Sequence, residues 1–130
     1  MSRFHALGAW LLMLAVALGA FGAHGLKARV SPEMLAVWET AARYHALHGL
    51  GLFAVGYLVD RGGGELARVA GLLILGGVTV FAGTLYGYAL TGNMTLAMIT
   101  PAGGLCMILG WLAAGVAMWR LRSTSVAPVA

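Results

Sequence analysis

The sequence predicts an all-α membrane protein: four transmembrane helices packed as a compact bundle, with a short amphipathic interfacial helix between the first and second spans. Three observations carry this. Hydrophobic residues make up 61% of the 130 residues and charged residues only 9%, against roughly 25% charged in an ordinary soluble domain. So few charges leave a small soluble protein, with its large surface for its volume, too little to cover itself. The apolar residues also fall in long runs separated by polar turns. Finally, each run carries small residues at helical spacing, and glycine alone accounts for 20 residues.

The first run, about 4–23, has no Asp, Glu, Lys or Arg, and its ~20 residues reach across a ~30 Å hydrocarbon core. Arg3 before it and the small residues Gly19 to Ala23 also fit a signal peptide. The length of the run and its glycines favour a retained helix. In the polar segment that follows, Ser31-Pro32-Glu33 reads as a helix start. A serine N-cap, a proline at the first position and an acid near the positive dipole end each suit it. Met34, Trp38 and Ala41 share one side, and Glu39 and Arg43 are placed to pair. This is the interfacial helix, with Trp38 and Tyr44 at headgroup level. It leads into a second span, 42–59.

Asp60-Arg61-Gly62-Gly63-Gly64-Glu65 is a turn. It lacks the strand and the GK[ST] ending of a phosphate loop. A third span, 66–90, ends at Thr91-Gly92-Asn93, with Gly92 as the C-terminal cap. Residues 94–99 are apolar but too short to cross. Thr100-Pro101 repeats the cap-and-proline start, so the fourth span is placed at 101–119, stopped by Arg120 and Arg122. The transmembrane domain is then 1–122, with a mobile tail at 123–130.

Small residues mark the expected packing seams: Gly8, Ala15, Gly19 and Gly22; Ala42, Gly49 and Gly56; Gly76, Gly83 and Gly87; Gly103, Gly110 and Ala114. Lipid supplies no hydrophobic push between helices, so close backbone approach must do the packing. Four spans put both termini on one side. That side carries Arg3, Arg61, Arg68, Arg120 and Arg122; the other carries Lys27, Arg29 and Arg43. The bias places both termini in the cytoplasm. The formal charge of +4 is scattered along the membrane flanks and is not a nucleic-acid footprint.

The run Gly19–Leu26, "GAFGAHGL", is followed by Trp38, Tyr44-His45, His48, Leu85-Tyr86, Ala89-Leu90-Thr91-Gly92, Ile99-Thr100-Pro101-Ala102-Gly103-Gly104 and Gly110-Trp111. In this order the motifs resemble the YgdD-like family of small bacterial inner-membrane proteins, domain-of-unknown-function family 423. The resemblance spans nearly the whole chain, about residues 4–120. Ala102 stands where a larger apolar residue is expected. The resemblance implies a multi-pass protein of the bacterial inner (plasma) membrane and brings no catalytic residues with it.

Among residues able to carry chemistry, His24, His45 and His48 form one group. His45 and His48 share a helix face, and the four-span topology brings all three near one membrane surface. Imidazole suits zinc, copper or iron, so this trio is the candidate metal site, with Glu39 above it. A structural reading stands beside it: His24 as a helix C-cap, His45 and His48 bonded to backbone or tyrosine across the seam. A bis-histidine haem needs facing histidines away from the interface. Glu33, Glu39, Asp60 and Glu65 all lie at or outside the interfaces. That argues against a carboxylate relay and against the buried first-span glutamate of small four-helix multidrug exporters. Cys106 and the scattered methionines read as apolar filling. No catalytic motif and no cofactor is called for. The expected role is a non-enzymatic packing or accessory subunit, a homo-oligomer or part of a larger membrane complex. An oligomeric transporter or channel and a histidine-based site are the alternatives.

Overall fold

The computed structural model describes residues 1–124, and among them lie four α-helices and no strand. Helix α1 spans Arg3–Phe21 and continues into a π-helical turn, Gly22–Leu26. Helix α2 spans Pro32–Asp60, α3 Gly64–Thr91 and α4 Met94–Thr124. The tail expected from Ser123 begins inside α4, and its remainder, 125–130, lies outside the described residues.

Local chemistry sets the ends. The Ser2 hydroxyl accepts the Phe4 N–H at 3.3 Å, and the Ser31 hydroxyl accepts the Met34 N–H at 3.3 Å, with Pro32 opening α2. Gly92 closes α3 in the left-handed region (φ 67°), giving its N–H to Tyr88 O at 2.8 Å. Gly62 and Gly64 turn the chain between α2 and α3 with φ of 86° and 64°, where a side chain would be strained.

Two expected boundaries move. The amphipathic segment before the second span is not a separate helix. Nothing in Glu39-Thr40-Ala41-Ala42-Arg43 breaks a helix, and α2 runs unbroken for 29 residues. Glu39 and Arg43 form no ion pair; those among the described residues are Arg68 with Glu65 and His5 with Asp60. The fourth helix begins at Met94, not at Pro101. The Asn93 side chain caps it, accepting the Thr95 N–H at 3.0 Å. Pro101 therefore sits inside α4. It has no N–H for the carbonyl four residues back, an interruption that membrane helices tolerate.

Short connections make each helix antiparallel to the one before it. At one end His5 of α1 sits on Gly56 of α2, and Phe4 sits on Gly71 of α3. At the other end Trp38 of α2 covers Gly22, next to α1. Helix α1 packs on α2, α2 on α3, and α3 most extensively on α4. Helix α2 is thus flanked on two sides and also meets α4, where Trp111 lies over Gly51. The core comprises three layers. Leu52, Val55, Leu58, Ala70, Ile74 and Ala114 fill the end near the termini; Ala41, Val78, Ala82 and Met107 the middle; Leu26, Trp38 and Ala89 the far end.

Among the described residues three segments are long and apolar enough to cross a membrane: Arg3–Leu26, Gly64–Thr91 and Met94–Ser123.

Candidate functional site

Among the described residues the buried polar side chains are His45, His48 and Thr100. A polar group in a membrane interior is costly and needs a partner. Thr100 of α4 has one across the α3–α4 seam: its hydroxyl lies 2.7 Å from that of Thr84 and also donates to Leu96 O at 3.1 Å.

His45 points toward α3, its Nδ1 3.1 Å from the Tyr86 hydroxyl. Tyr86 in turn lies against Trp38, ring centroids 4.5 Å apart, and Phe21 meets the indole edge-on at 5.5 Å. The Trp38 indole donates to Leu18 O at 2.8 Å. The Leu18 carbonyl also accepts the Gly22 N–H, so the indole adds a second bond there without displacing the helical one. His45 Nε2 is sealed inside the protein with no hydrogen-bond partner.

His48 lies one turn further along α2. Its Nδ1 is 2.7 Å from Tyr44 O on the same helix. A carbonyl only accepts, so Nδ1 carries a proton, and in the Nδ1–H tautomer of imidazole Nε2 is the acceptor. The Tyr44 ring stacks on the imidazole at 6.0 Å, and Trp111 of α4 lies 6.1 Å away. Together with Phe81, Gly104, Met107 and Ile108 these residues line a cleft of about 470 Å³.

His24 is exposed in the π turn. Among the described residues no three His, Cys, Asp or Glu side chains gather closely enough to hold a metal ion. The expected trio of His24, His45 and His48 is therefore not assembled. His45 and His48 instead address different neighbours, one α3 and the other the cleft bordered by α4. His5, at the end near the termini, reaches Ser2 O at 3.1 Å and lies 3.8 Å from Asp60.

The glycines divide in the same way. A Cβ on Gly8 would meet Gly49 O at 2.7 Å, and one on Gly49 would crowd Leu12. On Gly103 it would meet the Phe81 nitrogen at 2.5 Å, on Gly110 Ile74 at 2.7 Å, and on Gly87 the Leu96 side chain at 2.8 Å. Gly22 and Gly56 lie under Trp38 and His5. Gly19, Gly76 and Gly83 have nothing within 4 Å and face outward. Besides Gly87, the close-approach glycines of α3 are Gly71 and Gly77, which sequence reasoning missed. The 3–4 spacing of Ala67, Ala70, Gly71, Ile74, Gly77 and Val78 was the available signal. The expected bonding of the histidines to tyrosine or backbone holds, His45 to the Tyr86 hydroxyl and His48 to Tyr44 O; the Phe81 and Trp111 walls of the cleft were missed.

Apolar helices of this length, arranged antiparallel around a few buried polar groups, define a polytopic helical membrane protein. The chain belongs to the family described as "Protein of unknown function (DUF423)", which matches residues 18–104. It is similar to the UPF0382 membrane protein YwdK of Bacillus subtilis (strain 168), 43% identical over 113 residues, 86% of this chain and 92% of that protein. Similar relatives are the UPF0382 membrane proteins SERP0230 of Staphylococcus epidermidis, 44% identical over 112 residues, and SH2409 of Staphylococcus haemolyticus, 46% identical over 114 residues. Each of these matches covers 86% of this chain and 91% of the relative. No solved structure matches.

Proposed function

We propose that this chain is a non-enzymatic four-span subunit of the bacterial inner (plasma) membrane, with both termini cytoplasmic, that packs against a second copy or a larger membrane assembly. The fourth span is α2. Its 29 residues extend about 43 Å, beyond the ~30 Å of a hydrocarbon core. From Tyr44 to Val59 it holds no Asp, Glu, Lys or Arg. It also lies antiparallel to α1, touching it near both ends, so the two share one depth. Arg3, Arg61, Arg68, Arg120 and Arg122 lie at the end that holds the termini, which supports the orientation.

The observation that carries the packing role is on α3. Gly76 and Gly83 stand seven residues apart on its outer face, with Thr79 between them. Nothing among the described residues fills the space where their side chains would be. Such a strip lets another helix backbone come close in lipid. Placing cysteine at Thr79 and oxidising native membranes is expected to trap a dimer or a larger adduct. Replacing Gly76 and Gly83 together by leucine should abolish the adduct and leave the helical content unchanged. A chain that stays monomeric in native membranes and cross-links to nothing overturns the role.

A further inference from the structure

The cleft around His48 matches no part of the packing role. It opens between α2, α3 and α4, roughly midway along α2 and α4. Three of its walls are aromatic: Tyr44, Phe81 and Trp111. Its volume, about 470 Å³, lies within the roughly 300–1,000 Å³ of small-molecule sites.

His48 makes the cleft more than an apolar groove. The residue is only 8% exposed. Its Nδ1–H is committed to Tyr44 O, which turns that nitrogen back onto α2 and leaves Nε2 at the far end of the ring. Nε2 has no partner among the described residues, yet it is not sealed off as His45 Nε2 is. The need for a partner rests on the proposed four-span reading, in which the cleft faces lipid chains that offer Nε2 no hydrogen bond, and an unmade bond in hydrocarbon is costly. The tautomer fixes what the missing partner must be. Nε2 accepts, so the partner donates; the flanking rings favour a flat aromatic face; access from the bilayer requires a lipid-soluble molecule.

We propose that this cleft binds a membrane-dissolved hydroquinone-type molecule, its ring between Trp111 and Phe81 and one hydroxyl donating to His48 Nε2. Gly104 forms part of the lining. A Cβ there would stand 3.7 Å from the Phe81 ring, in ordinary contact, so a larger side chain takes up cleft volume without disturbing a packed seam. The oxidised quinone has the same shape and no hydroxyl to donate, which makes it the natural control.

The test uses the full chain in lipid nanodiscs, labelled with ¹⁵N-histidine and titrated anaerobically with decyl-hydroquinone or the matching decyl-quinone. The His48 Nε2 resonance, assigned by its loss in His48→Gln, is expected to shift saturably with the hydroquinone. The quinone should bind at least tenfold more weakly. Gly104→Leu should abolish the shift while helicity and thermal unfolding stay as in the parent. Three results would overturn the proposal: no saturable shift, equal binding of the two redox forms, or a shift that survives Gly104→Leu. A stoichiometric metal ion on Nε2 in the purified protein would do so as well. Should His48→Gln fail to fold, the two-ligand comparison and the Gly104 variant decide the matter.

Discussion

Replacing Gly103 by alanine tests the α3–α4 seam, the most extensive contact in the fold. The added Cβ would lie 2.5 Å from the Phe81 nitrogen and 2.7 Å from Gly77 O. Ordinary carbon contacts are ~3.5–4.0 Å, so the helices must separate by roughly 1 Å. Both obstructing atoms are backbone, and no side chain can rotate away. Overpacking of this kind costs about 1–3 kcal/mol. Alanine recovers at most ~1 kcal/mol in helix propensity. With the full propensity gain the net expectation is a loss of about 0–2 kcal/mol, up to roughly thirtyfold in the unfolding equilibrium. Gly76→Ala is the matched control on the same helix pair. With nothing within 4 Å of its Cβ, it keeps the propensity gain and should stabilise by up to ~1 kcal/mol. The two variants are to be compared by SDS titration in mixed micelles dilute enough to keep the chain monomeric, following helicity by circular dichroism. Equal midpoints, or a Gly76→Ala variant less stable than Gly103→Ala, would refute the seam assignment.

Thr84→Val removes the interhelical hydroxyl pair with Thr100. Such bonds in membranes average about 0.6 kcal/mol with a ceiling near 1.7, so Thr84→Val and Thr100→Val should each lower the SDS midpoint slightly, and the double variant by less than their sum. Ser31→Ala removes the α2 cap, at a cost of about 1 kcal/mol in the same titration. Outside the membrane, the Glu33 carboxyl is held below the ordinary carboxylate range by its own backbone N–H and by Ser31. Its contribution is therefore complete above the ordinary carboxylate pKa and is lost as pH falls through the lowered folded value. An NMR titration should show Ser31→Ala moving Glu33 back up; an unmoved value would contradict the capping contact.

What was legible in the sequence was local. Ser31-Pro32 and Gly92 mark helix ends because the cap bonds reach only a few residues, so a short stretch of sequence carries the whole interaction. Thr100-Pro101 has the same form and was misread. A membrane helix tolerates a proline inside it, and Asn93 had already capped the helix two turns earlier. Gly76 and Gly77 are adjacent, and one residue of rotation, about 100°, decides which meets α4. That choice belongs to the partner helix and cannot be read from α3 alone. Tyr86, 41 residues from His45, becomes its partner only once α2 and α3 lie side by side.

The helix that length and apolarity fail to single out is α2, and its place in the fold explains this. Helix α2 lies between α1 and α3 and meets α4 at Trp111, so one face of it is covered by protein while Leu47, Leu50 and Tyr57 stay exposed on the other. A helix in that position no longer needs an apolar side chain at every inward site. It holds the buried His45 and His48 on its covered face, whereas among the described residues of the other helices the buried polar side chain is Thr100. The same shielding sets the two histidines apart. His45 is closed in by Tyr86 and the α3 contact, and its Nε2 is sealed. His48 sits where α2 and α4 are held together by little more than Trp111 over Gly51, and there the cover is incomplete. The gap left by that narrow contact is what gives a lipid-borne molecule a way to the imidazole.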